Sequence, residues 1–197
     1  MNVLDTKVYR WLQTAMDFLL LNLLWLAACL PVVTAPPATA AMFGVVRDRV
    51  RGNEGGVFWG FVFRFRQNFR QSLAVGALWA LFGGALYADF VIVDGLEGGA
   101  QILLLSLLFV AAIFYALTSV WLFPVMVHYD TTWTGVLKNA ALLAMGRLPT
   151  TLLCLLTTAA AATLAAVVPF LVLVVGSVAA HAVYRLCDRE FRRIEGI

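Results

Sequence analysis

Charge is what this chain has least of. Asp, Glu, Lys and Arg make up 13% of its 197 residues, where a soluble domain carries roughly 25%. The chain is 62% hydrophobic, with a mean hydropathy of +0.90. That balance excludes a soluble globule, a disordered chain and a secreted disulfide scaffold. Cysteine is scarce too. Cys29, Cys154 and Cys187 form no C-x-x-C pair, and their odd number reads as buried thiols acting as small hydrophobes. The two histidines, His128 and His181, sit at opposite ends of different apolar runs and read as membrane-interface residues. No metal or cofactor is expected. There is no HExxH, no GxSxG and no phosphate loop, and no cluster of titratable groups lies inside the apolar runs. The expectation is a non-enzymatic protein.

What is present is long stretches without charge. None of the four charged types occurs from Gln71 to Ala88, from Gly98 to Val127 or from Leu148 to Tyr184. Between Trp11 and Val46 the single charge is Asp17. A helix crosses the hydrocarbon core with about 20 apolar residues, and backbone in lipid must satisfy its own hydrogen bonds. The runs are continuous rather than alternating, so they predict helices and not a barrel. Leu73–Val93 fits one span, and Ile102–Val127 fits one long span with Pro124 near its end. Leu148–Tyr184 holds 37 residues with Pro169 near its middle. It predicts two spans, about Thr150–Val167 and Phe170–Leu186, with one kinked helix as the alternative. Phe18–Val33 is a further span. It runs into Pro31, Pro36 and Pro37, which cannot continue an unbroken helix. Ala38–Val46 is then a short second crossing or a re-entrant helix.

The basic residues predict the orientation. All 14 fall into four clusters: Lys7 and Arg10; Arg47 to Arg70; Lys138 and Arg147; and Arg185 to Arg193. The loop between the third and fourth spans carries Asp89, Asp94 and Glu97 and no base. Positive charge stays cytoplasmic in short loops. All four clusters share one side only if an even number of helices separates each from the next. The expected architecture is one all-α transmembrane bundle over 1–197, with about six membrane segments in three hairpins and both termini cytoplasmic.

Two stretches between spans read as cytoplasmic interfacial helices. In Val57–Arg70, the residues Phe58, Phe61, Val62, Phe65 and Phe69 form an apolar stripe, and Arg64, Gln67, Asn68 and Gln71 fall off it. Aromatic residues opposite arginines suit a helix lying among anionic headgroups. This makes Arg64, Arg66, Asn68 and Arg70 candidates for a lipid or partner surface. In Thr132–Arg147, Trp133, Val136, Leu137, Ala140 and Ala144 share a face. With Leu4, Val8, Trp11 and Leu12 as a third instance, a threefold unit of interfacial helix plus hairpin is one reading. Leu26-Ala27-Ala28-Cys29 has the form of a lipoprotein box, but apolar sequence follows it, so a retained helix is expected. Small residues on the last two spans, such as Ala159–Ala162 and Gly176, suit close helix packing.

Polar residues inside spans are the usual pointers to function. Asp17 and Asn22 lie on the first helix, and Thr34 and Thr39 flank the prolines. Broken helices in transporters expose helix ends to substrate, and a tight hairpin turn is the other reading. Asp17, Asn22, Trp25, Thr34, Pro37 and Thr39 are therefore candidates for substrate or partner contact.

Asn22-x-x-Trp25, Leu30-Pro31-Val32-Val33-Thr34 and Pro37-Ala38-Thr39-Ala40-Ala41-Met42, with Phe63-Arg64-x-x-x-Asn68-Phe69-x-x-Ser72, resemble the YesL family of bacterial membrane proteins. The family usually has Gly-Pro where this chain has Pro36-Pro37. The resemblance implies an integral protein of the bacterial cytoplasmic membrane whose biochemical role is unassigned, with no catalytic residues to carry over. It also implies an association with carbohydrate uptake, because the family's genes tend to lie near sugar transporters. The expected partners are the lipid bilayer, its anionic headgroups and the membrane subunits of a sugar transporter, with no nucleic acid. The expected role is accessory or regulatory. The alternative is an autonomous small transporter or channel with its site at the broken first hairpin.

Overall fold

The computed structural model describes residues 3–53, 55–95 and 97–196. The regular structure there is helical: α1 (Val3–Cys29), α2 (Ala35–Val50), α3 (Val57–Asp94), α4 (Gly99–His128), α5 (Trp133–Gly146), α6 (Leu148–Val167) and α7 (Val172–Glu195). Four helices are long and apolar enough to cross a membrane: α1 from Trp11 onward, α3, α4 and α6. The chain is a polytopic helical membrane protein. The other two expected segments coincide with α2 and the apolar part of α7. The 16 residues of α2 reach only about 24 Å at 1.5 Å per residue.

Each break has a local cause. After Cys29 the chain makes a single 3-10 turn at Val32–Thr34, and α2 opens with Pro36 and Pro37 in its first turn. There a missing N–H costs nothing. The long run from Leu148 divides at Val168, which is extended, and Pro169 begins a second 3-10 turn. Two helices form, not one kinked helix. Pro124 lies inside α4 without ending it.

The stretch Val57–Arg70 departs from expectation. It is not a separate interfacial helix but the first part of the 38-residue α3. No proline lies between Val57 and Leu73 to stop the helix. Its stripe turns partly toward protein: Phe61 is buried, Val62, Phe65 and Phe69 are half-buried, and Phe58 is exposed. The N-terminal stretch is likewise continuous with α1, and the side chains of Leu4 and Val8 lie outside the described residues. Only Thr132–Arg147 gives a helix of its own, α5. Thr132 caps it by accepting from the Gly135 N–H, and of its stripe Val136, Ala140 and Ala144 are buried and Leu137 half-buried, while Trp133 is exposed. The threefold unit is therefore not built.

Neighbouring helices pair antiparallel. Asp17 meets Arg49 and Trp25 meets Thr39 between α1 and α2. Pro36 meets Gly76 and Asp48 meets Arg64 between α2 and α3. Trp79 stacks on Tyr115 between α3 and α4, with ring centroids 4.7 Å apart. Thr150 meets Glu190, and the Cys154 thiol meets the Val183 carbonyl, between α6 and α7. The short α2 lies innermost: Pro37, Ala38 and Ala40–Val46 are all buried. In contrast, α3 runs on for 18 residues past Gly76 to Asp94, about 27 Å of helix. Between Ala77 and Leu117, Val93 alone among the described residues is buried. The α3–α4 hairpin thus extends, apolar on all sides, beyond the first turn.

Gly76 makes the α2–α3 approach possible. A Cβ there would stand 2.4 Å from the Pro36 side chain, whereas Gly84 on the same helix faces open space. Gly76→Ala is expected to destabilise the detergent-solubilised protein by about 1–3 kcal/mol. Gly84→Ala is expected to leave it unchanged or to stabilise it by about 0.5 kcal/mol. Thermal unfolding of the two variants side by side checks this.

Candidate functional site

The broken first hairpin gathers five of the six residues singled out for substrate or partner contact. Asn22 is fully buried. Its Nδ2 donates to the Val172 carbonyl, and its Oδ1 accepts from the Ser177 N–H at 3.1 Å. Ser177 Oγ donates back to the Phe18 carbonyl at 2.8 Å. Gly176 lets this happen, since a Cβ there would lie 2.4 Å from Asn22 Oδ1. Asn22 therefore fastens the first helix to the last. Trp25 Nε1 donates to Thr39 Oγ1 at 3.1 Å, joining α1 to α2. Thr39 Oγ1 in turn donates to the Ala35 carbonyl at 2.8 Å. Thr34 Oγ1 reaches the carbonyls of Ala28 and Pro31 at 2.6 and 2.7 Å. The Pro31 carbonyl also accepts the Thr34 backbone N–H at 2.9 Å, so Thr34 ties the end of α1 to the turn through both its backbone and its hydroxyl. Pro37 is buried in the first turn of α2. The turn itself is apolar and exposed at Leu30, Val32 and Val33.

The sixth residue, Asp17, belongs to a polar layer at the basic end. It pairs with Arg49 at the end of α2. Asp48 takes a forked contact from Arg64 of α3, with Nε and Nη2 at 3.0 and 2.9 Å from Oδ2. Arg47 holds the same carboxylate at 3.1 Å and also donates to the Val127 carbonyl at the end of α4. A two-point guanidinium–carboxylate contact fixes direction as well as distance. The alternating Arg47-Asp48-Arg49 thus ties α2 to α1, α3 and α4 at one level.

His128 closes α4 and was not separable from an ordinary interface histidine by its sequence setting. Its side chain is 2% exposed. Nε2 donates to Glu195 Oε1 at 3.0 Å, while Nδ1 faces the Tyr184 hydroxyl at 3.1 Å and Arg51 Nη2 at 3.3 Å. An arginine can only donate, so Nδ1 is the acceptor and the imidazole carries its proton on Nε2. Beside it, burial and then the Glu195 carboxylate push the Tyr129 phenol upward, so it stays neutral. On α7, Glu190 is 7% exposed and accepts from Thr150 Oγ1 at 3.0 Å and Arg193 at 3.3 Å. Arg147 lies 3.3 Å from its other oxygen, off the line of a hydrogen bond. Asp188 pairs with Arg192 at 2.8 Å. No sequence motif marks this cluster, because its members come from four separate segments.

The four surface candidates divide. Arg64 is engaged by Asp48 and also donates to Gln67 at 2.9 Å. Asn68 is half-buried, and its carbonyl accepts from Ser72 Oγ at 2.6 Å. Arg66 and Arg70 are exposed, and no carboxylate among the described residues pairs with them. Among the described residues no three His, Cys, Asp or Glu side chains gather as a metal site would require.

Asn22→Ala is expected to cost about 1 kcal/mol, the usual worth of an interhelical polar bond in a membrane bundle, read as a lower unfolding midpoint in detergent. A double-mutant cycle on Asp48→Ala and Arg64→Ala should give a coupling of about 1 kcal/mol, larger than an exposed pair provides.

Residues 18–90 match the model of a family described as "Protein of unknown function, DUF624". The chain is 31% identical over 178 residues to Uncharacterized protein YteU of Bacillus subtilis (strain 168), covering 84% of this chain and 76% of that protein. It is also 31% identical over 137 residues to Uncharacterized protein YesL of the same organism, covering 68% and 64%. No solved structure matches. The broken hairpin and the arginine-rich start of α3 fall within the matched segment, and on this relatedness the chain belongs to the DUF624 family, as a multi-pass membrane protein.

Proposed function

We propose that the chain is a non-enzymatic membrane protein that assists carbohydrate uptake as an accessory or regulatory subunit beside a transporter's membrane subunits. The observation that carries the accessory role is the engagement of Asn22, Trp25, Thr34 and Thr39 in bonds within the fold. Polar groups already bound inside a bundle hold helices together rather than receive a passing solute. The link to carbohydrate comes with the resemblance to the YesL family. In this reading α1–α2, α3–α4 and α6–α7 are three membrane hairpins, and the basic end and both termini face the cytoplasm.

The first hairpin turns within the bilayer in this reading. Its turn is apolar, and Thr34 bonds the Ala28 carbonyl through its hydroxyl and the Pro31 carbonyl through its N–H. The acidic loop of the longer α3–α4 hairpin reaches the outer surface.

Native pull-down from the source membrane tests the role. Co-purification of transporter membrane subunits supports it, and a clean partner-free protein overturns it. Single cysteines in a background lacking the three native ones test the arrangement. Glu97→Cys should react with an impermeant thiol reagent added to intact cells, while Val33→Cys should stay unlabelled. Labelling at both positions would make the first hairpin a full crossing.

A further inference from the structure

The geometry points to a binding site for the headgroup of an anionic phospholipid at Arg66 and Arg70 on α3. The two residues are one helical turn apart, a spacing that puts their Cβ atoms about 5–6 Å from each other on one face. Both are exposed, and among the described residues neither has a carboxylate partner. That sets them apart from Arg47, Arg49 and Arg64, which carboxylates already hold. Like charges at this spacing repel, and a shared anion would remove the repulsion.

The surroundings suit a phosphate with acyl chains attached. Phe65, Arg66, Gln67, Phe69 and Arg70 line a shallow cavity of about 340 Å³. Gln67 accepts from Arg64 at 2.9 Å through its carbonyl oxygen, which leaves its amide nitrogen free to donate. Guanidinium groups bind phosphate oxygens two at a time. The charge-free run Gln71–Ala88 begins directly after Arg70, so the cavity lies where α3 enters the apolar layer. Soluble phosphate would use the arginines but not the aromatic walls or the adjoining apolar helix. The site is therefore assigned to a lipid, and it does not rest on the carbohydrate reading.

Arg185 and Arg189 on α7 give an internal control. They have the same spacing and exposure and stand outside the cavity that Phe65 and Phe69 line. The purified protein would be titrated in detergent with phosphatidylglycerol or phosphatidylcholine, and bound lipids counted by native mass spectrometry. Wild type should bind phosphatidylglycerol selectively. The Arg66→Gln/Arg70→Gln variant should bind it about tenfold more weakly, while the equally charged Arg185→Gln/Arg189→Gln variant keeps it. Arg66→Lys/Arg70→Lys should fall between, because lysine retains charge but loses the two-point fork. Millimolar inorganic phosphate should not displace the lipid. Unselective binding, equal losses in the two glutamine variants, or displacement by free phosphate would each overturn the assignment. An unchanged helical circular dichroism spectrum keeps a loss of binding distinct from a loss of fold.

Discussion

A backbone N–H or C=O taken from water without a partner costs several kcal/mol, and the first hairpin is shaped by that penalty. Pro31, Pro36 and Pro37 bring no N–H to be satisfied, and carbonyls around the break find other donors: the Leu30 N–H reaches Ala27 and the Ala35 N–H reaches Val32. Thr34 adds its backbone N–H to Pro31 and its hydroxyl to Ala28. With the turn closed on itself, α2 can lie within the bundle, surrounded by other helices. Its small residues, Ala38, Ala40, Ala41 and Gly44, allow that depth. The close approach of Pro36 to Gly76 and of Gly44 to Arg64 is then the seam on which α3 packs.

The charges follow from the same placement. Because α2 ends among α1, α3 and α4, the Arg47-Asp48-Arg49 triplet emerges where each side chain meets a different helix. Opposite charges of adjacent residues point apart on a helix, so one triplet ties several neighbours. At the far side of this layer His128, Tyr184 and Glu195 join the ends of α4 and α7. Most arginines of the layer are thereby neutralised within the protein. Arg66 and Arg70 stand on the outer face of α3, beyond reach of these acids, which is why they remain open to an external anion.

Much of this was legible in residue order. Charge-free runs located α4, α6 and the membrane part of α3, since a run that long in lipid can only be helical. Pro169 correctly divided the last run. The stripe Val136, Ala140 and Ala144 named the buried face of α5. Legibility failed where a stripe had two apolar environments to choose from. Phe61, Phe65 and Phe69 have the period of a lipid-facing stripe, yet protein covers Phe61 and half-covers Phe65 and Phe69, because periodicity reports burial without reporting what does the burying. The polar candidates were read only as positions. Asn22 and Trp25 lie at the break, and their partners are Ser177 and Val172 at one site and Thr39 at the other.

Composition and the order of charges by themselves determined that this is a helical membrane protein with its bases toward one end. Those properties depend on each residue's transfer between water and lipid, a local quantity that adds along the chain. Tertiary structure alone decided that α2 is innermost, that Asn22 joins the first helix to the last, and that Arg64 is paired while Arg66 and Arg70 are bare. Such outcomes depend on hydrogen bonds and ion pairs between segments up to 159 residues apart. Their strength is set by distance and direction in space, which no spacing along the chain records.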